Sequence, residues 1–246
     1  MYQFFVEPPQ IQGEKIVITG SDVNHIKNVL RMKVGEEIAV SNGIDGKEYR
    51  CSIETFAEKE ILCSLRSVKD ADVELPSKIY LFQGLPKADK MELIIQKAVE
   101  LGVYEIIPVA AGRSVVRLDE KKAKNKAIRW QGIAEAAAKQ SKRAIIPKVR
   151  QVMSMKEAVI YAQSADVRLI PYELAEDMAK TKEQIAGIRP GESVAVFIGP
   201  EGGFEEIEIA AAVEKGIVPI TLGKRILRTE TAGLTVLSWL AYRLEV

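Results

Sequence analysis

The first candidate for chemistry in this 246-residue sequence is a glycine-rich turn. Residues 194–198 are apolar, residues 199–204 have the sequence Gly-Pro-Glu-Gly-Gly-Phe, and Glu205-Glu206 follow. This pattern predicts a buried strand, a tight turn and a helix whose acidic first residues suit its positive end. Glycines let backbone approach a ligand closely, and ligands of α/β sheets gather at the carboxyl ends of strands. A purely structural strand-to-helix turn explains the glycines equally well.

The common phosphate-binding patterns do not fit this turn. Its glycines have the spacing neither of G-x-G-x-x-G nor of G-x-x-x-x-G-K-[ST], so it predicts no dinucleotide or triphosphate site. Glu201 would also repel a phosphate group. A ligand that combines an adenosine with a positive centre fits better.

A second loop, residues 223–228, joins another strand end to the last helix. Ile226 and Leu227 are apolar where an exposed loop is normally polar, and Lys224, Arg225 and Arg228 surround them. Apolar residues that wall an aromatic ligand, together with cations that face an anionic polymer, account for both features. Thr229 is expected to cap the following helix. The apolar positions of that helix keep helical spacing: Leu234, Leu237, Leu240, Ala241 and Leu244.

The first 70 residues predict a small β-barrel or sandwich. Short alternating segments lie at residues 15–19, 37–41, 49–55 and 61–65, with turn signals at Asn42-Gly43 and Asp45-Gly46. One helix interrupts them after an N-cap at Ser21-Asp22. Its expected buried face consists of Val23, Ile26, Val29 and Leu30.

Beyond a polar linker at residues 69–77, the pattern changes to that of a parallel sheet covered by helices. Apolar runs alternate with stretches of helical period. Asp89 and Ser154 each precede a glutamate by three residues, which predicts two capping boxes, and Gly102 is expected to end the first of these helices. The apolar runs lie at residues 79–82, 104–109, 167–170, 193–198 and 217–222.

Composition narrows the possible functions. The sequence is 47% apolar, and 35 basic against 34 acidic residues leave a net charge of +1, so any nucleic-acid surface must be local. Cys51 and Cys63 form no C-x-x-C pair and His25 is the only histidine, so no metal site is predicted. The lysine-rich run 121–126 is interpreted as a solvated helix face. Neither a secretory signal nor a run of about 20 apolar residues is found, which predicts a cytoplasmic protein with no membrane contact.

Taken together, these motifs resemble the bacterial 16S ribosomal RNA uridine N3-methyltransferases. The likeness rests on residues 199–204 and 222–232, and it extends over the whole chain. Further matching segments lie at residues 25–26, 29–31, 87–92, 96–103, 113–114, 129–130, 135–136 and 139–141 and at Arg143.

The resemblance implies an α/β fold in two domains. Residues 1–72 would form a PUA-like β-barrel that helps to hold RNA, and residues 73–246 a SPOUT domain, a parallel sheet covered by helices with a deep trefoil knot. A homodimer would use S-adenosylmethionine to methylate N3 of a uridine near the 3′ end of 16S rRNA in the small ribosomal subunit. Two alternatives stay open: a SPOUT enzyme that modifies another base or a ribose 2′-hydroxyl, and a non-enzymatic RNA-binding or assembly protein.

Carried over motif by motif, the resemblance assigns roles to individual residues. Arg228 is expected to stabilise the uridine anion, and Glu230 to assist proton removal or to hold Arg228, unless it only favours the helix N-terminus. The residues expected to bind RNA are Arg31, Lys33, Lys87, Arg113, Lys139, Arg143 and Arg225. The residues expected to bind the cofactor are Ile170, Pro171, Ile198, Gly199, Pro200, Glu201, Gly202, Gly203, Leu222, Gly223, Ile226, Leu227 and Arg228.

Overall fold

The computed structural model describes residues 1–175 and 177–245, and the chain divides into two compact units. One unit comprises Met1–Glu74 and Ala138–Ile146, and the other comprises Leu75–Ala137 and Pro147–Val246. Each unit has a sheet and a hydrophobic core of its own. Within the described residues, no helix is long and apolar enough to cross a membrane.

The first unit is built on a six-stranded sheet. Its strands are β1 (Gln3–Phe5), β2 (Ile11–Gln12), β3 (Lys15–Thr19), β4 (Glu37–Ser41), β5 (Lys47–Phe56) and β6 (Glu60–Asp70). They lie in the order β1-β4-β5-β6-β3-β2, and all pairs are antiparallel except β1 with β4. Strand alternation places one side chain in two in a shared core, which includes Ile16, Ile18, Cys51, Ile53 and Cys63.

The helix predicted after residue 20 is present, but two details of the prediction were wrong. Helix α1 (Ser21–Asn24) has Gly20 as its N-cap without a side-chain hydrogen bond, and it continues as a π-helical turn, His25–Val29. Val23 and Ile26 are buried as expected, whereas Val29 is 62% exposed. Because the π-helical turn bonds each residue to the fifth along the chain, it is wider than an α-helical turn and moves residue 29 off the buried face.

Arg143 belongs to the first unit, and its side chain is enclosed. Arg143 is 4% exposed and forms an ion pair with Glu74, whose carboxylate also accepts the backbone N–H groups of Ala144 at 2.9 Å and Ile145 at 3.1 Å. A buried, paired guanidinium presents no charge to a polyanion. The predicted RNA contact of Arg143 is therefore corrected to a structural role.

The second unit contains a parallel sheet of seven strands. These are β7 (Ile79–Gly84), β8 (Glu105–Ala110), β9 (Lys148–Val149), β10 (Met153–Ser154), β11 (Val167–Pro171), β12 (Val194–Ile198) and β13 (Val218–Ile220). The order is β10-β8-β7-β12-β11-β13, with β9 beside β8. The helices are α2 (Lys90–Glu100), α3 (Glu120–Gln140, of which residues 138–140 belong to the first unit), α4 (Met155–Tyr161), α5 (Met178–Gly187), α6 (Glu206–Glu214) and α7 (Thr229–Leu244).

Burial on both faces of this sheet explains its continuous apolar strands. Phe82 of β7 and Phe197 of β12 are cross-strand partners, and their rings stack with centroids 4.3 Å apart. Every residue of β12 is buried, as a central parallel strand requires. All strands point the same way, so the loops after β7, β11, β12 and β13 meet at one edge, and both loops singled out in the sequence lie there.

The predicted helix boundaries were partly confirmed. Ser154 and Glu157 form the expected capping box of α4, and Gly102, at φ +85°, follows the end of α2. Asp89 makes no capping hydrogen bond to α2, so the capping box predicted there was wrong. The glutamate three residues on, Glu92, pairs instead with Arg129 of α3 at 2.8 Å.

Removing the charge of Arg143 is expected to destabilise the protein strongly. Arg143→Met should lower the free energy of unfolding by about 3 kcal/mol, because the Glu74 carboxylate would stay buried without its partner. As a matched control, Lys139→Met disrupts the exposed Lys139–Asp22 pair at 3.4 Å and should cost less than about 1 kcal/mol. Urea denaturation of the full chain measures both; equal losses would contradict the structural role of Arg143.

Candidate functional site

A cavity of about 930 Å³ opens at the carboxyl edge of the parallel sheet. Three loops form its wall: residues 171–173 after β11, residues 199–204 after β12 and residues 221–228 after β13. Lys90, Ala175, Met178, Ile198, Thr229 and Ala232 complete the lining. A cavity of this volume is large enough to enclose a cofactor-sized ligand.

The residues expected to bind a cofactor line this cavity, with one exception. Ile170 is fully buried in the hydrophobic core, because neighbouring side chains of β11 point to opposite faces and only Pro171 faces the cavity. Tyr172 also lines the cavity and lies in the loop 170–173, which the resemblance assigns to the cofactor. Lys90 and Met178 were not predicted as lining residues. Lys90 lies within a matched motif, but Met178 carries no sequence signal that would have marked it.

Glycines permit a very close approach between the end of β7 and the glycine turn. A Cβ atom on Gly84 would lie 2.6 Å from the backbone nitrogen of Pro200, a distance that no side chain tolerates. Gly203 adopts φ +68°, in the left-handed region that glycine occupies at little cost. The turn thus needs glycine for two different reasons, and Gly84 was not recognised from the sequence.

The hydroxyl of Thr229 links three elements in the interior of the site. Thr229 Oγ1 donates to the carbonyl oxygen of Gly199 at 2.6 Å and accepts from Gln83 Nε2 at 2.9 Å. Because the hydroxyl is used in this way, it does not cap α7. The N-cap is Arg228, without a side-chain cap, so the predicted role of Thr229 was wrong.

Lys90 joins two carboxylates at the wall of the cavity. Its Nζ atom lies 3.0 Å from Glu201 Oε1 and 3.3 Å from Glu230 Oε2. The backbone N–H of Lys87 also points at both oxygens of Glu201, at 3.1 and 3.3 Å. One ammonium group therefore allows Glu201, from the glycine turn, and Glu230, from α7, to lie close together.

These contacts shift the pKa values of Lys90 and Glu201. The hydrogen bond to Glu201 is the main reason that the pKa of Lys90 lies above its usual 10.5. Burial by itself would raise the pKa of Glu201, but hydrogen bonds from its own backbone N–H, from Lys90 and from Lys87 outweigh it, so that this pKa lies below 4.5. Both groups are therefore charged at neutral pH.

The remaining predicted residues occupy two regions. Arg225 and Arg228 are exposed at the rim of the cavity, beside Ile226, which is 91% exposed. Lys87 is exposed too, and Arg113 Nη1 donates to the carbonyl oxygen of Gly202 at 3.2 Å. Three other residues predicted to bind RNA belong to the first unit, where all are exposed: Arg31, Lys33 and Lys139.

Comparison with known proteins identifies the family. The family model described as an RNA methyltransferase domain matches residues 73–241, and that of an RNA methyltransferase PUA domain matches residues 18–65. A Bacillus subtilis protein named ribosomal RNA small subunit methyltransferase E is 39% identical over 100% of this chain and 98% of its own. The chain belongs to the ribosomal RNA small subunit methyltransferase E family. A member from Mesomycoplasma hyopneumoniae is 34% identical over 97% of this chain and 98% of its own.

Solved structures agree with this membership of the methyltransferase E family. The crystal structure of the Neisseria gonorrhoeae ribosomal RNA small subunit methyltransferase E, bound to S-adenosyl methionine, superposes with a TM-score of 0.81 at 32% identity. The alignment covers 97% of this chain and 95% of that one. The predicted fold class, a SPOUT-type α/β unit with a PUA-like N-terminal sheet, is confirmed.

Replacing Lys90 is expected to destabilise the protein to an extent that depends on pH. Lys90→Met should lower the free energy of unfolding at neutral pH, because Glu201 and Glu230 would then repel each other. Since the folded-state pKa of Glu201 is lowered, its contribution is complete above 4.5 and is lost as the pH falls through the folded-state value. The difference between wild type and variant should therefore shrink below pH 4.5. Urea denaturation across this range is the measurement.

The matched control for this variant is Lys97→Met, which removes an exposed ion pair with Glu100 on the same helix. It should have a much smaller effect at neutral pH. Lys90→Arg, which keeps the charge, should retain most of the stability. A loss in Lys90→Met that does not change with pH would contradict the electrostatic role of Lys90.

Proposed function

We propose that this protein methylates N3 of a uridine near the 3′ end of 16S rRNA in the small ribosomal subunit, using S-adenosylmethionine. The cavity at the carboxyl edge of the SPOUT-type sheet, in a chain of the methyltransferase E family, carries the proposal. The protein is thus an S-adenosylmethionine-dependent rRNA methyltransferase. Its place of action is the cytoplasm, where bacterial ribosomal subunits are found.

The lining of the cavity suits S-adenosylmethionine. Leu222, Leu227 and Ile198 supply apolar walls of the kind that hold an adenine ring, and the glycine turn brings backbone polar groups close to a ligand. The ionised carboxylate of Glu201 favours a cationic ligand over a phosphate. We also infer that these loops form the trefoil knot that the resemblance implies. When bound, the cofactor supplies an electrophilic methyl group on a sulfonium sulfur.

Arg228 is the residue proposed to stabilise the negative charge that develops on the uridine. N3 of uridine belongs to a weakly acidic imide, and removal of its proton spreads negative charge over the flanking carbonyl oxygens. The exposed guanidinium of Arg228 lies on the cavity rim, where it stabilises this charge as it develops. Because N3 lies on the pairing edge of the base, the uridine must leave any stack before it enters the cavity.

Glu230 is the residue proposed to assist removal of the proton from N3 of the uridine. It lies in the first turn of α7, two residues after Arg228, and its carboxylate is held by Lys90. In this place it accepts the imide proton or orients Arg228. Lys90 is then a positioning residue, because it fixes Glu230 without itself meeting the base.

RNA binding is assigned to the exposed cations of both units. Lys87, Arg113 and Arg225 lie at or beside the cavity, where they would hold phosphates next to the target uridine. Arg31 and Lys33 of the first unit would bind other phosphates of the same RNA. Lys139 is exposed as well, but its ion pair with Asp22 must open before it can bind a phosphate.

Loss of the guanidinium is expected to slow methyl transfer selectively. Arg228→Ala should reduce single-turnover methylation of small-subunit particles by about a hundredfold, with cofactor affinity changed much less, since only the transition state carries the charge. Arg228→Lys should recover part of the rate. Mass spectrometry of the nucleosides identifies the product. Full activity of Arg228→Ala would refute its role, and a 2′-O-methylated or 5-methylated product would refute uridine N3 as the target.

The proposal includes a homodimer, which a measurement of molecular mass in solution tests. Among the described residues, Tyr242 on α7 and Ile226 beside the cavity are the most exposed large apolar side chains, at 90% or more, and a dimer interface that includes them would cover this apolar surface. Light scattering at a protein concentration of roughly tens of micromolar should give twice the 27.2 kDa mass of the chain. Tyr242→Glu should shift the mass towards the monomer. A monomeric wild type would contradict this part of the proposal.

A further inference from the structure

Positive charge is concentrated in a short segment that the proposed function does not use in full. Residues 113–129 contain seven cations and two carboxylates, a net charge of +5 in a chain whose total is +1, so the rest of the chain has a net charge of −4. Several of these cations lie one turn apart on α3, where like charges repel and destabilise a helix. Such an arrangement becomes favourable when a polyanion binds.

The cations of α3 are held on the outside of the helix. Lys121, Lys122 and Lys124 are exposed and Lys126 is half-buried, whereas Ala127 and Trp130 pack inward. The inward side chains fix the helix, so the lysines cannot turn away from solvent. The ends of this set are partly neutralised, by the pairs Lys122–Asp119 and Arg129–Glu92.

Three of these lysines are available to bind a partner. In the part of the chain that the structure describes, no carboxylate lies within ion-pair distance of Lys121, Lys124 or Lys126. Beside them runs a shallow cavity of about 290 Å³. It is lined at helical spacing by Leu118, Lys122, Asn125, Lys126 and Arg129. An apolar floor with a cationic rim suits a sugar–phosphate backbone, in which apolar sugar surface alternates with charge.

The basic segment begins at the cofactor cavity. Arg113 binds the carbonyl oxygen of Gly202 in the glycine turn, and Arg117 binds that of Gly112 at 3.0 Å. From residue 113 to the first residue of α3 the chain can extend over at most about 25 Å. A nucleic acid whose base enters the cavity can therefore continue along α3.

We infer that the outer face of α3 binds the phosphate backbone of the substrate rRNA, away from the target nucleotide. We call this surface, Lys121, Lys122, Lys124 and Lys126, the α3 basic face. The inference rests on the proposed function, because it assigns a further contact to the same RNA. It replaces the interpretation of the lysine run as a merely solvated face. The contact is electrostatic and does not depend on the RNA sequence.

The test compares two triple variants with the same change in net charge. Lys121→Gln/Lys124→Gln/Lys126→Gln removes the unpaired cations of the face, and glutamine preserves helix propensity. The control removes three exposed lysines elsewhere in the second unit: Lys148→Gln/Lys156→Gln/Lys215→Gln. Affinity for naked 16S rRNA is measured by filter binding over a range of salt concentrations, together with kcat and KM for methylation of small-subunit particles.

The α3 variant should bind rRNA about tenfold more weakly at physiological salt, and its log–log salt slope should fall by about two to three. Its KM should rise while kcat changes little, and cofactor affinity should stay the same. The control variant should keep most of the wild-type slope. Lys121→Arg/Lys124→Arg/Lys126→Arg, which retains the charges, should behave like wild type.

Equal slopes in the α3 variant and the wild type would overturn the inference, and so would equal losses in the α3 variant and the control. A lower kcat at unchanged KM would also overturn it, because it would place the lysines in the chemistry or the fold. Absence of methylation by the wild type would refute the proposed function alone. The salt slopes with naked rRNA would still decide whether the α3 basic face binds RNA.

Discussion

The site depends on one buried hydroxyl. Thr229 Oγ1 connects the carbonyl oxygen of Gly199 with the amide of Gln83, and so ties the glycine turn, the end of β7 and the start of α7 together. Each polar group would be costly to bury alone, so the three elements are stable in this arrangement as a set. Gly84 and Pro200, which approach each other closely, directly follow the two residues that Thr229 contacts.

Ion pairing adds a second constraint on the glycine turn and the start of α7. Lys90 stands between Glu201 and Glu230, so the carboxylate proposed to meet the cofactor and the one proposed to meet the uridine proton share one counter-ion. A displacement of α2 would disturb both. The remaining charge is arranged locally: a chain with a net charge of +1 holds a net charge of +5 within residues 113–129, on α3 and the segment before it. The RNA contacts that we propose thus depend on where charge lies and not on its total.

Several elements could be predicted from the sequence because local pattern and tertiary environment agree. The strands β3 and β4 begin and end where alternation predicted, and the apolar runs of β7, β11 and β12 mark the buried parallel sheet. The two capping predictions that failed at α2 and α7 concerned side chains with two possible partners. Thr229 could cap α7 or bridge two loops, and Glu92 could close a capping box or pair with Arg129. Sequence spacing favours the local partner in each case, whereas packing brought a distant one within reach.

The sequence by itself determined the family, the parallel sheet and two of the three loops that form the cavity, because glycine spacing, strand periodicity and unusual loop composition are all local properties. Only the tertiary structure decided which residues face that cavity. It placed Ile170 in the core and brought Lys90 to the wall, and it enclosed Arg143 beside Glu74. These outcomes depend on contacts between residues far apart in the chain. The partner of a charged or polar side chain is chosen by the folded neighbourhood, and residue type and spacing do not specify that choice.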